Sequence, residues 1–241
     1  MNQVIDNETA DSRWKSLYKV GGAAAIIAVA LLLTEIIVFT IWPQPNTATN
    51  YFVLFQNSKL IGLLDFYLLE FFAYTLFVPI FLAIYVAIRR ANESCMTLAL
   101  ILAITGVAVF LATNNPFSML SLSNQYAAAT TDAQKDLYLA AGQAILANTN
   151  QRAFEGFNMG FLLLSTAGMI ISIVMLQSKT FNKVIANVGI LTFTISLVEY
   201  IRVVFMPSIS LLPLLIIAVS SGLLIPIWLV LIARRLLKLE Q

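Results

Sequence analysis

The residues of this sequence that could do chemistry are charged side chains embedded in long apolar runs. Glu199 and Arg202 stand three positions apart in "LVEYIRVVF". An ionisable group near the centre of a bilayer costs about 2.5–3.5 kcal/mol, so such groups are expected to face the protein interior and to serve binding or proton transfer. The side chains in or beside runs of this kind are Glu35, Asp65, Glu70, Glu155, Glu199 and Arg202.

The runs themselves indicate a membrane protein. Hydrophobic residues make up 60% and charged residues 11% of the chain, against about 45–50% and about 25% in soluble domains. A membrane-crossing helix needs roughly 20 apolar residues. We therefore predict an all-α polytopic membrane helical bundle that forms a single domain over residues 1–241, with residues 1–19 as a cytoplasmic tail. The six predicted spans are 20–42, 61–88, 96–114, 157–176, 184–206 and 211–233.

The basic residues predict the orientation, because Lys and Arg accumulate on the cytoplasmic side of a membrane protein. Most of them fall on one side of the predicted spans. We therefore expect both termini in the cytoplasm, the chain in the plasma membrane, and the first span as a retained signal anchor, since it is longer than the apolar region of a signal peptide. These basic residues are Arg13, Lys15, Lys19, Arg89, Arg90, Lys179, Lys183, Arg234, Arg235 and Lys238.

The longest connection, 115–156, faces outward in this topology. Within it, Thr131 and Gln134 have the spacing of a helix-capping box, and apolar residues then recur at helical spacing. We predict an amphipathic helix over 132–147 that lies on the membrane surface or caps the bundle.

Proline and glycine add two local predictions. Pro79, Pro213 and Pro226 fall inside predicted spans, where proline removes a backbone hydrogen bond and can kink the helix. Gly156 and Gly160 form a small-xxx-small pair, which allows a neighbouring helix to approach closely.

All six charged side chains fall in the outer half of the membrane or at its boundary, although they come from four helices. Polar residues share their helix faces: Tyr67 and Tyr74 flank Glu70 at helical spacing, and other polar side chains accompany Glu155 and Glu199. Convergence at one depth predicts an outward-facing pocket. Its expected ligand-binding residues are Glu35, Asp65, Tyr67, Glu70, Tyr74, Glu155, Asn158, Ser196, Glu199 and Arg202.

The acids of this set outnumber its bases. Glu199 and Arg202 can neutralise each other, which leaves at least three carboxyl groups without a basic partner. Buried like charges disfavour ionisation, so these groups are expected to hold protons or to meet a cation from outside. We therefore predict a binding or transport protein for a small amphiphilic or cationic ligand, with the lipid bilayer as its other partner.

The sequence also argues against several classes of protein. It has no histidine, and Cys95 is its only cysteine, which removes histidine-ligated metals and thiolate clusters. It has no nucleotide-binding glycine motif and no basic patch typical of nucleic-acid binding, so we expect no metal, cofactor or nucleic acid. Two alternatives stay open: a lipid-modifying enzyme in which Asp65 and Glu70 perform acid–base chemistry, and an accessory or structural subunit whose charges only specify helix packing.

Three segments resemble a family of prokaryotic membrane proteins, domain of unknown function 4386. They are "YFVLFQNSKLIGLLDFYLLEFFAYTLFVPIFLAIYVAIRR", "ATNNPFSMLSLSNQYAAATTDAQKDLYLAAGQAILA" and "MLQSKTFNKVIANVGIL". The resemblance runs from about residue 15 to the last span and is sharpest in the outer loop. It implies a multi-pass membrane protein, and it supplies no activity, substrate or catalytic residue.

Overall fold

The computed structural model describes residues 12–149, 158–205 and 212–240, and all regular structure within them is helical. A short 3-10 turn, Ser12–Trp14, precedes the first α-helix. The α-helices are α1 Lys15–Ile41, α2 Ala48–Asn57, α3 Lys59–Asp65, α4 Leu68–Thr75, α5 Phe77–Ile88, α6 Glu93–Thr113, α7 Pro116–Ala128, α8 Asp132–Thr149, α9 Met159–Gln177, α10 Lys183–Phe205 and α11 Leu212–Glu240.

Five helical stretches are long and apolar enough to cross a membrane. They are Lys15–Ile41, Leu68–Ile88, Glu93–Ala128, Met159–Gln177 and Lys183–Arg202. Their outer faces expose large apolar side chains, as a lipid environment requires, so the predicted all-α membrane bundle is confirmed. Helix α11 has 29 residues and corresponds to the sixth predicted run. The sixth crossing and the cytoplasmic termini stay predictions.

The membrane helices pack in a closed ring that follows the chain. Each is in contact with the next along the sequence, in the order α1, α5, α6, α9, α10 and α11, and α11 then packs on α1. Apolar side chains fill the centre of the ring, among them Ile80, Ile84 and Trp228. In this order α11 lies between α1 and α10. The charged residues of α1 and α10 therefore lie on the same side of the ring.

Helices α6 and α9 approach each other closely at two glycines. A Cβ atom on Gly160 would lie 2.7 Å from the backbone oxygen of Gly106, and a Cβ on Gly106 would lie 2.9 Å from the oxygen of Gly160. The contacted atoms are backbone atoms that a side chain cannot push aside, so both positions require glycine. Gly156, the other half of the predicted small-xxx-small pair, lies outside the described residues.

The run predicted as one span at 61–88 is divided twice. Helix α3 ends at Asp65, and Tyr67 has a left-handed backbone (φ 62°) before α4 begins at Leu68. Helix α4 ends at Thr75. In a continuous helix the Thr75 carbonyl would accept a hydrogen bond from the amide of position 79, but Pro79 has no amide hydrogen. The proline therefore separates α4 from α5, and the residues before Leu68 turn away from the membrane segment.

The connections on the predicted outer side form a small layer of helices, which we name the outer cap and define as α2, α3, α7 and α8. A second hydrophobic cluster holds it together, distinct from the centre of the ring. The buried members of this cluster are Tyr51, Phe52, Phe55, Phe66 and Met119. The loop predicted at 115–156 thus contains α7 in addition to the expected helix.

The expected outer helix, 132–147, is α8. The Thr131 hydroxyl accepts a hydrogen bond from the Gln134 amide (3.3 Å), and the Gln134 side chain accepts one from the backbone of Thr130 (3.1 Å). Helix α8 packs on α2 and α7, with Gly142 placed against Ala48 and Phe52. Of the two predicted positions, the contacts support the capping one.

Candidate functional site

Two carboxyl groups from different helices lie together near the outer end of the ring. Glu35 is on α1, six residues before its outer end, and Glu70 is in the first turn of α4. Helices α1 and α4 pack against each other, and the two carboxyl groups are close enough to repel each other electrostatically. We call Glu35 and Glu70 the acid pair.

The two members of the acid pair differ in exposure. Glu35 is only 6% exposed, and its Oε1 atom is buried without a hydrogen-bond partner in the described part of the chain. Glu70 is partly exposed. Glu70 is therefore the group through which water or a ligand would first reach the pair.

Three tyrosines surround the acid pair. Glu70 interacts electrostatically with Tyr67, Tyr74 and Tyr200, and Glu35 interacts with the first two of them. The sequence had predicted Tyr67 and Tyr74 as companions of Glu70, whereas Tyr200 was missed. Tyr200 follows Glu199 directly on α10, so its position beside a predicted site residue was the available signal.

Tyr74 connects the acid pair to an aromatic cluster inside the ring. Its ring centroid lies 4.9 Å from that of Phe77, 4.4 Å from that of Phe110 and 5.0 Å from that of Phe161. These rings come from α5, α6 and α9, so three helices hold the tyrosine in place. The cluster, defined as these four rings, forms a rigid apolar wall next to the carboxylates.

Glu199 and Arg202 form the ion pair that their spacing predicted. Arg202 Nε lies 2.9 Å from Glu199 Oε2, and a terminal nitrogen of Arg202 lies 2.5 Å from Glu199 Oε1. The contact is bidentate, and Arg202 is 8% exposed. Ser196, predicted as a neighbour in the pocket, donates its hydroxyl hydrogen to the Thr192 carbonyl of its own helix at 3.0 Å. That hydroxyl hydrogen is thus used within α10.

Asn158 has a structural role at the start of α9. Its Oδ1 accepts a hydrogen bond from the Gly160 amide (2.8 Å), and its amide nitrogen donates to Thr113 on α6 (3.3 Å). The residue caps α9 and ties it to α6. Glu155, predicted to share its face, lies outside the described residues.

Asp65 lies apart from the acid pair. It is fully buried at the end of α3, and neither of its carboxyl oxygens has a hydrogen-bond partner among the described residues. Its electrostatic neighbour is Tyr51 of the outer cap, and no interaction joins it to Glu70 in the described part of the chain. Asp65 is therefore associated with Tyr51 of the outer cap, and its membership of the predicted pocket stays a prediction.

A glutamine missed by the sequence reasoning links these two places. The Gln44 amide donates to the backbone oxygen of Asp65 (3.1 Å), and its carbonyl accepts from the Tyr67 hydroxyl (3.3 Å). Gln44 lies in the polar connection after α1, where side chains are usually solvated, so nothing in its sequence position marked it.

Burial raises the pKa of Asp65 from 3.8 to about 7. Because the folded state then keeps a proton that the unfolded state releases, stability should fall as pH rises from about 4 to about 7. The slope for one such group is at most about 1.4 kcal/mol per pH unit. Asp65→Asn should remove this dependence, which unfolding midpoints in detergent between pH 4.5 and 8 would measure. A pH profile identical to that of the unmodified protein would contradict the assignment.

Asp136→Asn is the matched control for this prediction. Asp136 lies on α8 of the same outer cap and is exposed. The substitution removes an exposed acid from the same layer, so the change in the pH profile is expected for Asp65→Asn alone.

The described residues form no evident metal-binding site. No group of three or more His, Cys, Asp or Glu side chains that could hold a metal ion occurs among the described residues. The acid pair contributes only two carboxyl groups, an arrangement suited to a proton or a monovalent cation.

Comparison with known proteins gives a family and no activity. The model of the family described as Domain of unknown function (DUF4386) matches residues 17–233, which is most of the chain. No curated protein and no solved structure matches the chain. The resemblance carried by the three sequence segments is thereby confirmed.

Proposed function

We propose that this chain, which belongs to the family described as Domain of unknown function (DUF4386), binds a small amphiphilic cation at the acid pair and acts as a binding or transport protein of the plasma membrane. The observation that supports this most is the acid pair itself. Two carboxyl groups from separate helices are held together inside an apolar bundle, and nothing described nearby neutralises them.

The charge balance at the site favours a cationic ligand. Within the described residues, neither Glu35 nor Glu70 forms an ion pair. Arg202 of α10 already binds Glu199 through both of its oxygens. Burying a carboxylate without a partner costs several kcal/mol, and a cation from outside would offset this cost.

The aromatic surroundings favour an organic cation over a hydrated metal ion. Aromatic faces attract cations by about 0.5–2 kcal/mol, and the attraction is larger where water is excluded. Tyr67, Tyr74 and Tyr200 lie close enough to Glu70 to interact with it electrostatically, so aromatic residues are available near the carboxyl groups. A ligand with a cationic centre and an apolar body would satisfy both the carboxylates and the aromatic cluster.

The separation of Asp65 from Glu70 weakens the alternative of a lipid-modifying enzyme. Acid–base catalysis by these two residues requires both within reach of one substrate, whereas Asp65 is enclosed beneath the outer cap with Tyr51. The alternative of a purely structural subunit predicts no ligand at the acid pair, so a binding experiment distinguishes it.

Tetraphenylphosphonium, an aromatic monovalent cation, is a suitable probe for isothermal titration calorimetry of the protein in detergent. We expect saturable binding that Glu70→Gln weakens by at least about 30-fold, because a charged contact in a buried site contributes about 2 kcal/mol. Uptake by proteoliposomes would then separate a transporter from a binding protein.

Glu93→Gln is the matched control, since Glu93 is an exposed residue at the opposite, cytoplasmic end of α6. It should bind the probe as the unmodified protein does. The proposal fails if the unmodified protein does not bind the probe, or if Glu70→Gln binds it with unchanged affinity.

A further inference from the structure

We infer that the acid pair holds one shared proton when the site is empty and releases it when the cation binds, so that the site exchanges a cation for a proton. This inference rests on the proposed function and adds the coupled ion to it. Its support is the placement of the buried carboxyl group of Glu35 against that of the partly exposed Glu70.

The first step is that the empty site cannot hold two negative charges. Glu35 is 6% exposed, its Oε1 lacks a hydrogen-bond partner in the described residues, and Glu70 is its electrostatic neighbour. Two carboxylates at one buried site repel each other, and one of them then keeps a proton. Since one retained proton is enough to relieve this repulsion, we assign the empty pair as one carboxylic acid beside one carboxylate, with a net charge of −1.

The second step is that no other described group near the pair competes for this role. The titratable groups that face the pair from α4, from the α3–α4 junction and from α10 are Glu70, Tyr74, Tyr67 and Tyr200. The tyrosines are neutral near pH 7. The outer half of α11 reads "LPLLIIAVSSG" and contains no titratable residue.

The titratable groups on α5 and α3, the other helices that contact α1, lie away from the acid pair. Tyr85 of α5 lies near the cytoplasmic end of that helix, and on α3 Lys59 is exposed while Asp65 interacts with Tyr51. Among the described residues, only the acid pair therefore combines a buried carboxyl group with a second carboxyl group close to it.

The exchange balances in protons and in charge. The empty site contains one acid and one carboxylate, with charge −1. The occupied site contains two carboxylates and one monovalent cation, also with charge −1, and the released proton passes to the outer aqueous phase. Because the buried charge is the same before and after, neither state carries the desolvation cost of an additional uncompensated ion.

Calorimetry in buffers of different ionisation enthalpy measures the protons released on binding. Tetraphenylphosphonium titrations at pH 7 in phosphate, HEPES and Tris should give an apparent enthalpy that varies linearly with the buffer enthalpy, with a slope of about one proton per bound cation. Glu35→Gln should still bind the probe, several-fold more weakly, and its proton release should differ from that of the unmodified protein, because the proton is no longer shared between two carboxyl groups.

Asp136→Asn, in the outer cap, should release one proton as the unmodified protein does. Binding by the unmodified protein without proton release would overturn the exchange while leaving the proposed function intact. Unchanged proton release in Glu35→Gln would also overturn it. Absence of probe binding in the unmodified protein would instead refute the proposed function itself.

Discussion

Replacing Arg202 by methionine is expected to destabilise the protein by about 3–5 kcal/mol. The guanidinium group is bound to Glu199 through two contacts, and the two side chains are only 9% and 18% exposed. Removing Arg202 leaves the Glu199 carboxylate in an apolar environment without a positive partner. Breaking a buried ion pair in this way costs far more than the intact pair contributes. Unfolding from mild detergent by added dodecyl sulfate measures the change.

Two variants show whether the loss comes from the unpaired charge. The double variant Glu199→Gln with Arg202→Met removes both charges of the pair and should recover most of the stability. Lys19→Met breaks a comparable pair with Glu240, but there the side chains are 67% and 30% exposed. Water screens such a pair, so this control should change stability by less than about 1 kcal/mol. A similar small effect for Arg202→Met would contradict the buried pair.

Some of the site could be predicted because its signals are local on one helix. The spacing of Glu199 and Arg202 places them on one face, and the ion pair follows from that alone. The position of Tyr74 beside Glu70 is likewise set by the period of the helix. The membrane helices themselves were marked by the length of their apolar runs.

The relation between helices could not be predicted in this way. Whether Glu70 meets Glu35, Asp65 or Glu199 depends on the order of the helices around the ring and on the rotation of each helix about its axis. The sequence of one helix does not determine either of these. Tyr200 is an example: its neighbour Glu199 pairs along α10, while Tyr200, about 100° further round the helix, reaches Glu70.

The division of the second apolar run was also hidden. Tyr67 adopts a left-handed backbone, which glycine and asparagine usually provide and tyrosine rarely does. Packing of its ring against Phe39 and its hydrogen bond to Gln44 hold this conformation. Because these contacts are tertiary, the run reads as one continuous helix, and Asp65 is then placed in the membrane instead of beneath the outer cap.

The outer cap shows the same limit. Helices α2 and α3 have 10 and 7 residues, too short to be stable without tertiary contacts. They gain stability by burying Phe52, Phe55 and Phe66 against α7 and α8. Helix α8 was recognised because it combines a capping box with 18 residues, whereas the caps Thr47 and Ser58 precede helices of only 10 and 7 residues.

The claim on which the proposals rest is that Glu35 and Glu70 share one buried space. A double-mutant cycle of unfolding free energies for Glu35→Gln and Glu70→Gln tests it without any ligand. Each single substitution should relieve the repulsion between the acids, so the double variant should gain less than the sum of the two.

We expect a coupling energy of about 0.5–3 kcal/mol, as for residues in contact. The control cycle pairs Glu70→Gln with Glu93→Gln in the first turn of α6, where the effects should add. If Glu35→Gln and Glu70→Gln also add to within about 0.5 kcal/mol, the two carboxyl groups do not meet, and the account of the acid pair is contradicted.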